Sequence, residues 1–246
     1  MIPAITIDRL SKRYDSYEAL KSISLEVEQG SVFGFLGHNG AGKTTTLNIL
    51  TTLLKPSSGR AFVSGIDVVV NPIVARRHIG YVPENVQLYG ALSAIDNLRF
   101  LGRLSGLRDP DPRIRETLAF LDCVDLGPKR VGSMSKGQRL RIGLAQAVLH
   151  RPKVLFLDEP TSGLDPLGIK TLRDLIIRLN REQGTTIFMN THLISEVSRT
   201  CTSIGVLSNG QLVLHDTIAA MTQRFGNDAA LENIYLSLTP QSELAA

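Results

Sequence analysis

Hydrophobic and polar residues alternate early in the chain, and the period then changes. Ala4-Ile5-Thr6-Ile7 and Ile23-Ser24-Leu25-Glu26-Val27 repeat every second residue, and Val32-Phe33-Gly34-Phe35-Leu36 is a short apolar run, so three strands are predicted. A glycine-dense turn from Gly37 to Gly42 comes next. It leads into Lys43 to Leu54, where Leu47, Leu50, Leu53 and Leu54 share one helical face. Lys55-Pro56-Ser57-Ser58-Gly59 stops that helix, and Arg60 to Val63 resumes as a strand. From about Asn85 to His150, leucine-, arginine- and alanine-rich segments broken by Gly106, Asp109-Pro110-Asp111-Pro112 and Gly127-Pro128 predict several helices in a separate lobe. Strand signals return at Lys153 to Leu157, Thr185 to Asn190 and Thr202 to Leu207. A helix with Leu172, Leu175, Ile176 and Leu179 on one face crosses between the first two, as in a βαβ unit. Asn209-Gly210 is a two-residue hairpin signal, and Leu231, Ile234, Tyr235 and Leu238 mark a short apolar helix near the end.

The pattern predicts an α/β fold, and composition narrows its setting. With 43% hydrophobic residues among 246, the chain can bury a core, yet runs such as Val154-Leu155-Phe156-Leu157 fall far short of a membrane helix. The first residues lack the basic and then apolar regions of a secretory signal, so a cytosolic protein is expected. Cys123 and Cys201 supply neither a disulfide framework nor a metal cluster, and each sits among apolar residues, which predicts buried thiols. A net charge of +4, no tryptophan and few aromatics give no platform for nucleic acid.

Chemistry enters at the turn. Gly37-His38-Asn39-Gly40-Ala41-Gly42-Lys43-Thr44 fits G-x-x-x-x-G-K-[ST], between the strand and the helix that such a phosphate-binding loop requires. Its backbone N–H groups would wrap phosphates, Lys43 would neutralise the β and γ charge, and Thr44 would offer a hydroxyl to Mg²⁺. A metal carboxylate should end a buried strand facing the loop, and Val154-Leu155-Phe156-Leu157-Asp158 is such a strand. Glu159, pointed differently by strand alternation, suits the base for an attacking water.

Together with a second motif set, these residues resemble the ATP-binding cassette family, a likeness covering roughly residues 4 to 218. Ser133-Met134-Ser135-Lys136-Gly137-Gln138 resembles the family's Leu-Ser-Gly-Gly-Gln signature, with Met134 and Lys136 in place of leucine and the first glycine. The resemblance implies that Ser135, Gly137 and Gln138 of one subunit meet the γ-phosphate held by another. Pro160-Thr161-Ser162-Gly163-Leu164-Asp165 resembles the D-loop, with Gly163 where alanine is more usual, and places Asp165 at the dimer interface. His192 matches the switch histidine, and Thr45 belongs to the loop. Tyr14 resembles the adenine-stacking aromatic, with Tyr17 as competitor. Ile79-Gly80-Tyr81-Val82-Pro83-Glu84 aligns with a segment that normally ends in glutamine. Glu84 would keep an oxygen for Mg²⁺ but add a charge, and Gln87 is the alternative for that role. His38 sits inside the P-loop at a variable position, and His78, His150 and His215 are expected to be ordinary surface or core residues.

The resemblance implies a P-loop NTPase core with a mainly parallel sheet, an N-terminal antiparallel β subdomain and an inserted helical subdomain. Residues 1–84 would carry the β subdomain and P-loop, 85–150 the helical subdomain, 151–218 the rest of the core and 219–246 a short tail. One motif set per chain implies a homodimer, or a pair with a closely related subunit, that binds ATP and Mg²⁺. Such a dimer would drive an integral-membrane permease from the cytoplasmic face of the membrane. The short tail and Glu84 resemble the branch that works with ABC-2-type permeases. Gly37-His38-Asn39-Gly40 and Pro83-Glu84-Asn85-Val86 resemble cassettes serving copper-enzyme maturation. The alternative is a non-transport cassette in DNA repair, translation or cluster assembly, but its usual second cassette, coiled-coil or basic insertion is not seen. A silent regulatory module is opposed by Lys43, Asp158, Glu159 and His192 all being present.

Overall fold

The computed structural model describes residues 2–225, so the expected helix through Leu231 to Leu238 lies outside the described residues. Four strands form an antiparallel sheet in the order β2-β1-β4-β5: β1 (Ile5–Tyr14), β2 (Tyr17–Val27), β4 (Ser58–Val63) and β5 (Ile66–Asp67). The first two are longer than their alternation predicts. Register shifts between Ile7 and Leu10, and again between Leu10 and Lys12, break the period of two, so the polar outer halves pair as strands without looking like strands.

The second sheet has six strands in the order β10-β9-β3-β8-β7-β6: β3 (Val32–Leu36), β6 (Ile79–Val82), β7 (Val154–Asp158), β8 (Thr186–Thr191), β9 (Ser203–Ser208) and β10 (Gln211–Thr217). Its neighbours pair in parallel except for β10, which returns antiparallel through Asn209-Gly210, both at positive φ as the predicted turn requires. Alternation divides each central strand between two cores. Phe33, Phe35, Phe156 and Phe188 face the antiparallel sheet, with Phe33 and Phe188 stacked at 5.2 Å. Leu36, Leu155, Leu157, Ile187 and Met189 face the helices.

Those helices are α1 (Lys43–Leu50), α2 (Pro72–Arg76), α3 (Ala94–Leu104), α4 (Asp111–Phe120), α5 (Lys136–Val148), α6 (Pro166–Gln183), α7 (Ile194–Thr200) and α8 (Ile218–Phe225). The predicted helix to Leu54 stops at Leu50. Thr52 turns left-handed at φ 66°, its N–H donates to Ile49 O, and Leu53 N–H donates to Asn48 O, the paired bonds of a Schellman cap. Leu53 is thereby turned outward, 62% exposed. Cys123 and Cys201 lie just past α4 and α7 rather than inside them, and both are buried. Burial pushes the Cys123 thiol up to about 11 and the Cys201 thiol higher still.

Candidate functional site

The parallel sheet assembles the site by aiming adjacent strand ends at one place. The glycine loop leaves β3, Glu84 follows β6, Asp158 ends β7 and His192 follows β8, and these strands lie side by side at their carboxyl ends. That edge of an open parallel sheet is where loops can converge on a ligand. Tyr14, Tyr17, Asn39, Gly40, Gly42, Lys43, Thr44, Thr45, Glu84, Asp158 and Glu159 line a single cleft of about 280 Å³ there. Gly37 and Ala41 lie beneath it. A Cβ on Gly37 would stand 2.5 Å from Leu207 O, and its carbonyl accepts from Lys43, so this glycine is needed for fit rather than for contact.

Lys43 is buried with its ammonium 2.6 Å from Gly37 O, 3.1 Å from His38 O and 3.6 Å from Glu159 Oε1. Burial lowers its pKa, against the opposing pull of Glu159 and Asp158. Glu159 itself stands at φ 44°, in the left-handed region, with its N–H on Asn190 O at 3.0 Å. That strained turn swings its side chain out of the strand register, so that His192 Nδ1 donates to Glu159 Oε2 at 2.9 Å while Asp158 stays buried behind it. His192 thus joins the cleft through Glu159.

Asp158 accepts from Asn190 Nδ2 at 3.0 Å. Burial raises its pKa, the Asn190 bond offsets part of that, and the charges of Glu159 and Glu84 raise it further. Glu84, Asp158 and Glu159 line the cleft with Thr44, and carboxylate and hydroxyl oxygens are the hard donors a divalent cation such as Mg²⁺ takes, but among the described residues no three acidic or histidine side chains are drawn together into a metal site. Gln87 lines neighbouring grooves instead, beside Val86, and does not line this cleft.

The two tyrosines expected to compete for a stacking role are cross-strand partners at the tip of the β1–β2 hairpin. Both line the cleft. Tyr17 donates its hydroxyl to Gly40 O at 3.2 Å, while the ring of Tyr14 carries Lys12 Nζ 5.1 Å from its centre.

Ser135, Gly137, Gln138 and Asp165 are not in this cleft. They line a second one of about 260 Å³ with Leu164 and Gly168, and the two linings share no residue. Ser135 caps α5 in a capping box with Gln138, each accepting the other's backbone N–H at 3.2 Å, and Asp165 caps α6 by accepting Gly168 N–H at 2.7 Å. Sequence reasoning missed Asn190 and Ser162. The first is visible only once β7 and β8 are known to be neighbours, and the second donates to Glu84 Oε1 at 3.0 Å across 78 residues. His150 and His78 are pushed below the usual histidine pKa by burial, His150 donating Nε2–H to Ile79 O, and His215 packs edge-on to Phe33.

Comparison with known proteins gives the same reading. The family model described as ABC transporter matches residues 20–162. The chain is 39% identical over 204 residues to the bacitracin transport ATP-binding protein BcrA of Bacillus licheniformis, covering 83% of this chain and 66% of BcrA. It is 39% identical over 227 residues to the daunorubicin resistance ATP-binding protein DrrA3 of Streptomyces coeruleorubidus, covering 92% and 72%. It thus spans about two thirds of the length of such relatives. Among solved structures, CbiO1 of Clostridium perfringens, part of the ABC transporter complex CbiONQ, superposes with a TM-score of 0.84 over 96% of both chains at 29% identity. The cassette MJ0796, a dimer bound to ADP and Pi in a post-hydrolysis state, superposes at 0.78 over 87% of this chain and 98% of its own, at 25% identity. With the loop, the carboxylates and the capped α5 in these positions, the chain belongs to the ABC transporter family.

Proposed function

We propose that this chain is the ATP-hydrolysing subunit of a membrane transporter, working as a head-to-tail dimer that drives a separate integral-membrane permease of the ABC-2 type. The observation that carries the reading is the division into two unlike half-sites. One cleft holds Lys43, Thr44, Glu84, Asp158 and Glu159, and the other holds Ser135, Gly137, Gln138 and Asp165. Two copies facing head to tail would bring each P-loop cleft against the other copy's signature cleft, closing two composite sites. The dimeric MJ0796 structure supports a working dimer, and the names of BcrA and DrrA3 support a transport role.

ATP phosphates would take the place that Gly37 O, His38 O and Glu159 now hold around Lys43. Mg²⁺, held by Thr44, Asp158 and Glu84, would supply charge neutralisation to the β- and γ-phosphates. Glu159 accepts the proton of the attacking water while His192 fixes the orientation of its carboxylate. Tyr14 and Tyr17 frame the adenine side. Ser135 receives Gln138 N–H on its hydroxyl oxygen, so its own hydrogen is available to a partner's γ-phosphate, at the positive end of the α5 dipole.

No described helix is long and apolar enough to cross a membrane. In this reading the span is the permease's, and the subunit meets it at the cytoplasmic face. Glu159→Gln is expected to leave ATP binding intact, nearly abolish turnover and trap an ATP-dependent dimer seen by size-exclusion chromatography. Turnover near the original rate would overturn the assignment.

A further inference from the structure

Glu84, Lys136 and Gly163 are distant in sequence and meet around one groove, with the charges of Glu84 and Lys136 facing it without a direct ion pair. A Cβ built on Gly163 would stand 3.0 Å from Lys136 Nζ and 3.4 Å from its Cδ, so the lysine chain lies over the D-loop in the space that an alanine would take. The preceding residue, Ser162, donates its hydroxyl to Glu84 Oε1 at 3.0 Å. Glu84 and Lys136 line one groove with Arg139 and Pro160, and Glu84 also faces the P-loop cleft beside Asp158 and Glu159.

Glu84 puts a negative charge and Lys136 a positive one along the same groove, and Gly163, at φ 66°, leaves open the space that the lysine chain crosses. Local helix stability does not account for the lysine. It is the first residue of α5, the positive end of the helix dipole, where a cation is disfavoured. Its chain instead runs to Gly163 of the D-loop, whose preceding residue, Ser162, holds Glu84.

We propose that Lys136 is a positioning residue that holds the Ser162–Gly163 turn and offsets the charge of Glu84. Without it, the third carboxylate at the P-loop cleft is left unbalanced against the incoming polyphosphate. The inference rests on the reading of Glu84, Asp158 and Glu159 as the ATP site.

The test is steady-state Mg²⁺-ATPase kinetics on Lys136→Met, Lys136→Arg, Glu84→Gln and the Glu84→Gln/Lys136→Met double variant, with thermal melts on each. Lys136→Met is expected to lower kcat by about three- to tenfold, in the range of contact coupling, with KM for ATP and the melting temperature little changed. Lys136→Arg should keep most of the rate. Glu84→Gln in the Lys136→Met background should restore the rate of Glu84→Gln alone, because the unbalanced charge is gone. A Lys136→Met enzyme with unchanged kcat, or a double variant slowed by the product of the two single effects, would overturn the proposal. Should Lys136→Met fail to fold, Lys136→Gln gives the same contrast. A Glu159→Gln control that still turns over overturns the site reading itself, whereas an inactive control with additive effects overturns only the role of Lys136.

Discussion

Gly42 shows how tightly single residues are held at the head of α1. It sits at φ 107°, and a Cβ there would stand 2.6 Å from Ala19 O, a backbone atom that cannot swing aside. Gly42→Ala should therefore cost about 1–3 kcal/mol in strain. The same variant should lose binding of a fluorescent ATP analogue, because relief of the overlap must move the loop. His150 makes a second prediction at this scale. Burial lowers its pKa in the fold, so it takes up a proton at a lower pH than the unfolded chain, which does so near the usual value of 6.5. A lowered basic pKa contributes stability that is present above that value and lost as pH falls below it. His78, lowered by burial and by Lys153, acts with the same sign. Denaturant unfolding followed from about pH 7.5 down to 5 should show falling stability, with a flatter slope in His150→Gln. An unchanged slope would leave His150 without a share in it. Residues inside contiguous motifs, such as Lys43, Thr44 and Asp158, were legible in sequence because their neighbours along the chain define their role. Asn190 and Ser162 lie in the predicted strand and the D-loop segment, but their roles were not legible, because their partners are supplied by sheet order and by a contact across 78 residues.

At the scale of elements, the site depends on how α7 is held behind His192. The helix starts two residues later, and Arg173 of α6 grips Glu196 of α7 through both carboxylate oxygens, at 2.8 and 2.9 Å from Nη2. The Glu196 side chain is only 9% exposed and that of Arg173 20%. Breaking a fully buried pair costs about 3–5 kcal/mol, and the partial exposure of Arg173 brings the expected loss for Arg173→Met to about 2. Thermal denaturation should register that loss, and turnover should fall as the His192 to Glu159 contact loosens. Arg173→Met/Glu196→Met should recover stability, since no lone carboxylate is then buried. Most strands, α1 and α6 were readable from hydrophobic period, but β5, β6, α2 and α7 were too short to stand out, and the ends of the longer elements were not placed. The outer halves of β1 and β2 hide behind register shifts, and with them the hairpin tip that sets Tyr14 opposite Tyr17. The end of α1 was misplaced because the Schellman cap closes on Thr52, a residue that rarely takes a left-handed turn.

For the whole molecule, the groove beside the site gives the clearest route to a partner. A cavity of about 780 Å³ runs between α2, α3, α5 and the loop after β6, and Leu53, Ile73 and Leu104, each exposed by 62 to 70%, line it. Three large apolar side chains left in water along one groove support reading it as the surface where the proposed permease docks. The groove also touches Pro83 and Gln87, immediately beside Glu84, so a permease segment seated there would press on the loop that carries a carboxylate into the P-loop cleft. This geometry separates docking from chemistry. Ile73→Glu lies on the surface of α2, where such changes usually alter stability by no more than about 0.5 kcal/mol, so ATP turnover of the isolated subunit should be nearly unchanged. Co-purification with a membrane protein from native membranes should be lost, because a desolvated carboxylate at an apolar contact is costly to bury. Leu104→Glu, on the opposite wall of the groove, should have the same effect. If both variants retain their membrane partner, the permease docks elsewhere. If both lose basal turnover in solution, the groove serves the fold or the dimer instead.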